Sequence, residues 1–329
     1  MILACILLAG CGAGFPKVVV KLGEGDTTAA DSLRPFVIAT DDAVATRAGV
    51  AALRAGGTAG DAAAAAALML AVVLPSSASL HAGGVCLIYD AAAKSMHKLE
   101  FAGPLASARA ARTIHGVLGR LPWPRAVAPA ATAARFGVPV SRRLAQQLAQ
   151  ADVLLRDAQA LSVFMSPRRQ LLAPGEPLRQ PALADTLDRL RTAPRNGADV
   201  LPWAPAAADP YGGNQAYLAG KGTSNPEGAS SLVVGDTHGN TVACTFVMGA
   251  AFGAGVMRDG ALQPADGATP VAVLAIVDTK GRVVMVEANG GQGGYPNSLD
   301  CFLDKGAPEC EAKALAPGGY ALTGQVGEP

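Results

Sequence analysis

Aromatic side chains make up only 5% of this 329-residue chain, and charged ones only 16%. With so little Phe, Trp and Tyr, the interior has to be filled by Ala, Val and Leu, which lets elements pack closely. Half of the residues are hydrophobic and mean hydropathy is +0.28, the opposite of a disordered composition. Charge of one sign is also lacking: 27 basic residues face 26 acidic ones, and no Lys/Arg-rich run stands out. A nucleic-acid partner is therefore not expected. The 39 glycines and 23 prolines follow no fixed period, which excludes a collagen-like chain. No CxxC or Cys/His spacing marks a metal site. The GGQGG run at 290–294 lacks the Lys-Ser/Thr of a phosphate loop, so no cofactor is expected. The apolar run at 62–74 is dominated by Ala and reads as a buried helix rather than a membrane span.

What is present begins with the N-terminus. Residues 2–9 (ILACILLA) are too few to cross a bilayer and lead into Leu8-Ala9-Gly10-Cys11. This resembles the lipobox of bacterial lipoproteins, in which the cysteine thiol carries the lipid, although no Lys or Arg precedes the apolar run. The resemblance implies a signal over 1–11, a lipid on Cys11, and anchoring at the periplasmic face of a bacterial membrane, the outer membrane included. An oxidising periplasm would let Cys301 and Cys310, close neighbours in a loop-like tail, form a disulfide. Cys86 and Cys244 sit in apolar strand-like runs and read as buried thiols rather than nucleophiles.

Residues 12–35 read as a tether. FVIAT (36–40) reads as a strand, and Asp41 or Asp42 is placed to cap the helix AVATRAGVAALR, which Gly56-Gly57 end. A nearly all-apolar helix follows from Asp61 to Pro75, then the strand VCLIYD. Proline-punctuated helices occupy 117–190, including SRRLAQQLAQADVLL and PALADTLDRLR. Residues 192–228 read as a long connection. Two hairpins close the pattern, SSLVVGD with TVACTFV and VAVLAIVD with RVVMVEA. Strands at both ends with helices between them point to an α+β layered fold. His97, His115 and His238 have no carboxylate at motif spacing.

Several of these segments resemble the gamma-glutamyltransferase family of N-terminal-nucleophile hydrolases. AGVAALRAGGTAGDAA is similar to the family's opening helix pair. VVLPSSASLHAGGVCLIYD is similar to its glycine loop and strand, with His81 and Ala82 in place of two glycines. GRLPWPRAVAPAATAARFGVPVSRRLA and LRQPALADTLDRL resemble the next blocks, SSLVVGDTHGNTVACTFVMGAAFGAGVM the nucleophile hairpin, and VAVLAIVDTKGRVVMVEANGG the hairpin that ends in the oxyanion glycines. The resemblance implies a four-layer αββα sandwich. It is reduced here by a large internal deletion, because only a short connection separates Asp199 from Ala229. It also implies one composite domain, with a large-subunit-like part over 36–228 and a small-subunit-like part over 229–329.

In that family a precursor cleaves itself before a threonine, whose freed amine activates its own hydroxyl. Here the first threonine position falls on Ala229 or, by another count, on Gly228; a slip the other way makes Ser230 the nucleophile. The arginine that holds the substrate carboxylate corresponds to Ala102, and the asparagine after the nucleophile hairpin to Gly249. Asn289-Gly290-Gly291 matches the oxyanion glycines. The expectation is a relative without gamma-glutamyl transfer or hydrolysis, acting as a binding or structural partner of an envelope protein or holding a small molecule in a remnant cleft. The alternative is a self-processing amidohydrolase or gamma-glutamyl hydrolase that uses Ser230.

Overall fold

A computed structural model describes residues 18–21, 36–194, 200–211, 214–220, 228–268 and 271–288. Helix α1 (Ala43–Arg54) starts at Asp42, whose carboxylate accepts from the Val44 N–H at 2.7 Å and so satisfies one of the free donors of the first turn. Helix α2 (Ala59–Val73) has every residue buried, as its unbroken apolar run requires. It starts in a capping box in which the Thr58 and Asp61 side chains each serve the other's backbone. α3 (Ala106–Leu118) and α4 (Trp123–Phe136) lie against it. The approach is close: a Cβ on Gly60 would stand 2.7 Å from that of Leu118. α5 (Arg142–Leu148), a 3-10 turn (Asp152–Arg156), α6 (Ala158–Val163) and α7 (Pro181–Thr192) complete the helical layer. The stretch expected as one helix over SRRLAQQLAQADVLL is therefore two, broken at Ala149–Ala151.

The main sheet has six strands in the order β2 (Val37–Thr40), β10 (Ala229–Gly235), β11 (Thr241–Val247), β3 (Gly83–Asp90), β4 (Ser95–Phe101) and β7 (Ala204–Pro205). The second has five: β1 (Val18–Lys21), β15 (Val283–Ala288), β14 (Val273–Val277), β9 (Asn214–Ala219) and β8 (Ala208–Tyr211). Two short pairs, β5 (Val138–Pro139) with β6 (Pro177–Leu178) and β12 (Met257–Arg258) with β13 (Ala261–Leu262), brace connections. Side-chain alternation divides the interior in two. Leu232, Val234, Val242 and Cys244 join the core under the helices, whereas Val233 and Ala243 meet Val273, Ala275 and Val286 between the sheets. The described residues thus build helix, sheet and sheet in layers, a reduced α+β sandwich.

Two expectations are corrected. Residues 192–228 are not one long connection: β7, β8 and β9 lie within them, and β9 pairs with β14 inside the second sheet. Pro205 and Pro210 hid these strands; both sit where an edge strand tolerates a missing donor. Cys86 and Cys244 are not thiols but a disulfide, because β3 and β11 pair in the register that sets the two residues opposite one another. Within the segment expected as a tether, Val18–Lys21 pairs with β15. No helix among the described residues is long and apolar enough to cross a membrane.

Candidate functional site

The start of β10 carries the nucleophile question. Ser230 pairs with Phe246 and lies two residues from Leu232, so its side chain faces the helical layer. It is 0% exposed, and its Oγ has no hydrogen-bond partner. Such an orphan hydroxyl costs about 1–3 kcal/mol. Beside it is Asp41, just past the end of β2, whose Oδ2 accepts from the Ser231 N–H at 2.9 Å. Arg143 on α5 stands 3.6 Å from the same oxygen and donates from Nη2 to the Ala229 carbonyl at 3.2 Å. One helical turn on, Gln147 accepts from the buried Ser76 hydroxyl at 2.6 Å. One face of α5 therefore lines a buried polar seam from Ser76 to Ser230. Burial pushes the Asp41 carboxyl above its ordinary value; Arg143 and the Ser231 N–H offset this only in part. Ser230 lies near enough to favour the carboxylate without aligning into a hydrogen bond.

The other expected positions in the described residues lie at the same end of the six-stranded sheet, where Ala229 pairs with Val247, Val247 with Gly83, and Gly84 with Phe101. Ala229 is fully buried and Ala102 is exposed just beyond β4. Gly249 has φ +79°, and a Cβ there would stand a tight 3.1 and 3.2 Å from those of Ala268 and Ala265. Gly290, Gly291, Cys11, Cys301 and Cys310 lie outside the described residues. A groove of about 700 Å³ lies elsewhere, along α6 and β6, lined by residues including Leu161, Met165, Arg169 and Arg179. It shares no residue with the seam. Among the described residues, no group of three or more His, Cys, Asp or Glu comes together as a metal site.

Two buried polar centres were not read from the sequence. Asp61 accepts from the N–H groups of Thr58, Arg120 and Leu121 at 2.9, 2.8 and 3.1 Å and faces His115 Nε2 at 3.2 Å. Burial raises its pKa, but His115 and these donors outweigh that and hold it at about 2. His115 thus has a carboxylate partner that no local spacing announces. His81 Nδ1 accepts from the Leu105 N–H at 3.0 Å, so the ring proton is on Nε2, which faces the Arg258 carbonyl at 3.2 Å. Burial lowers its pKa and keeps the ring neutral. Where the resemblance expects a glycine, the chain has placed a strut between α3 and the β12–β13 turn.

Comparison with known proteins follows this geometry. The family model described as gamma-glutamyltranspeptidase matches residues 45–113 and 104–200. Glutathione hydrolase 7 of Homo sapiens is 32% identical over 180 residues, 47% of this chain and 27% of that protein. Glutathione hydrolase 2 of Arabidopsis thaliana is 32% identical over 182 residues, 46% of this chain and 31% of its own length. The matched segment is thus under a third of either relative. Among solved structures, cephalosporin acylase from Bacillus halodurans has TM-score 0.64 at 16% identity, covering 91% of this chain and 84% of that one. That similarity is one of fold. Residues 45–200, just under half of the chain, match the gamma-glutamyltranspeptidase family model.

Proposed function

We propose that this protein keeps the family's scaffold without gamma-glutamyl transfer or hydrolysis, and serves as a binding or structural component. The reading rests on one observation: the only hydroxyl that fits the nucleophile position, that of Ser230, is sealed under the helical layer with no exposed surface. The alanine at 102, where the resemblance places a guanidinium, accords with it. A protein partner in the bacterial envelope, a small molecule in what remains of the cleft, and attachment through lipid on Cys11 make up the setting we propose. The test is release of glutamate and p-nitroaniline from a γ-glutamyl p-nitroanilide by the purified protein. No turnover above a heat-treated sample is expected, and turnover that Ser230→Ala abolishes would overturn the proposal.

A second reading has an observation of its own. Arg143 holds the carbonyl oxygen of Ala229, the residue preceding Ser230, and Asp41 lies beside the Ser230 hydroxyl. In a self-processing amidohydrolase, Ser230 Oγ would attack that carbonyl carbon. An ester would form, the Ala229–Ser230 C–N bond would break, and the new amine would take the proton before water hydrolysed the ester. A burial that excludes an outside substrate does not exclude a neighbouring carbonyl. This reading predicts, after reduction, two fragments meeting at Ala229/Ser230 in the wild type and one intact chain in Ser230→Ala. Equal intactness of the two proteins removes it.

A further inference from the structure

Cys86 and Cys244 are 0% and 1% exposed, stand directly opposite one another on the paired strands β3 and β11, and are bonded across 158 residues of sequence. The loop they close contains α3 to α7, β4 to β9 and the first strand of the nucleophile-position hairpin. The residues on either side are filled by the helix-side core, so a reductant reaches the sulfurs only when the sheet opens.

We infer that this bond is a permanent cross-link acquired in an oxidising compartment, and that it keeps the two halves of the fold one covalent molecule across any backbone break between residues 87 and 243. The inference does not depend on whether Ser230 reacts. The bond forms by thiol–disulfide exchange. One cysteine thiolate attacks the disulfide of an oxidising thiol–disulfide protein to give a mixed disulfide. The other thiolate then displaces that protein, which leaves as the dithiol, carrying the two electrons and the two protons the cysteines have lost. A reducing cytosol opposes this exchange, and an exported location favours it.

The geometry has a second consequence. Both sulfurs lie in the middle of the six-stranded sheet, on the face that packs against the helices. A break in an exposed connection therefore leaves the strands on either side of the bond paired and joined. Arg168 and Arg169 lie on such a connection, in the exposed turn after α6.

The experiment is limited trypsin digestion of the protein isolated from its own host, followed by denaturation in excess alkylating agent and without reductant. Trypsin meets Arg168 and Arg169, and the fragments on either side carry Cys86 and Cys244 respectively. We expect them to migrate as one species until reductant is added, and peptide mapping to recover the Cys86 and Cys244 peptides as a linked pair. In Cys86→Ala/Cys244→Ala the fragments should separate without reductant. If that variant does not fold, the wild-type peptide map decides alone. Alkylated Cys86 and Cys244 in the unreduced wild type, or fragments that stay joined in the double variant through other cysteines, would overturn the inference.

Discussion

At the scale of single residues, the start of β10 combines a hydroxyl without a partner and a carboxylate that depends on one. Removing Ser230 Oγ takes away an unsatisfied buried group and leaves its methylene in place. Ser230→Ala is expected to leave stability unchanged or raise it by about 1 kcal/mol, which urea titration measures; a clear loss would mean that the hydroxyl is bonded in solution. Asp41 behaves in the opposite way. Arg143→Ala leaves its charge buried and is expected to cost about 3–5 kcal/mol, with Asp41→Asn restoring most of the loss in the double variant. The pH dependence follows from the raised pKa of Asp41. The folded chain binds this proton more readily than the unfolded one, so the group favours the fold at acid pH and loses that contribution as pH rises through its folded value. The gap between Arg143→Ala and wild type should therefore narrow on moving from pH 7 toward the carboxylate range, seen as converging urea midpoints. Neither Asp41 nor Arg143 stood out in the sequence as a site residue. Asp41 appeared only as a possible cap, a role Asp42 takes, and Arg143 lies on a helix whose partner strand is remote in sequence.

Among the elements, α2 was the most legible, because the twelve successive apolar residues from Ala62 to Val73, after a Thr/Asp cap, have no way to form a surface helix. Its anchorage was not legible. Asp61 joins the start of α2 to the connection between α3 and α4 through donors at 58, 120 and 121, a contact that only the packing of α2 on α3 creates. With a folded pKa of about 2, below the unfolded value of about 3.9, its contribution is present above the unfolded value and lost as pH falls toward 2. The linked stability is about 2–3 kcal/mol. Asp61→Asn should remove most of this acid-dependent component, so its denaturation midpoint should vary less than wild type between pH 5 and pH 2.5. An unchanged pH profile would mean that Asp61 is not the group that titrates. The β-strands were legible where β-branched residues run together, as in β10, β11 and β14. They were missed at β7 to β9, where proline and alanine dilute the signal. The disulfide was missed for the same reason as the His115–Asp61 pair: adjacency across strands or helices is a property of register, not of spacing. In the chain-entropy estimate, closing a loop of this length contributes about 5 kcal/mol, so Cys86→Ala/Cys244→Ala should lower the thermal midpoint by several degrees.

For the whole molecule, the helical layer, the six-stranded sheet and the five-stranded sheet form two continuous cores, and the match to the family model lies over residues 45–200. Where the resemblance places reacting groups, the chain has Ala229, Ala102 and Gly249. The resemblance was therefore a good guide to the fold, and a fold of this kind does not by itself fix an activity.

The most direct test of this account is the mass, after reduction of disulfides, of the protein isolated from its own host. The account predicts a single species with the peptide bond between Ala229 and Ser230 unbroken. A pair of fragments, one ending at Ala229 and the other beginning at Ser230 with a free amine, would contradict it and return Ser230 to the role of nucleophile.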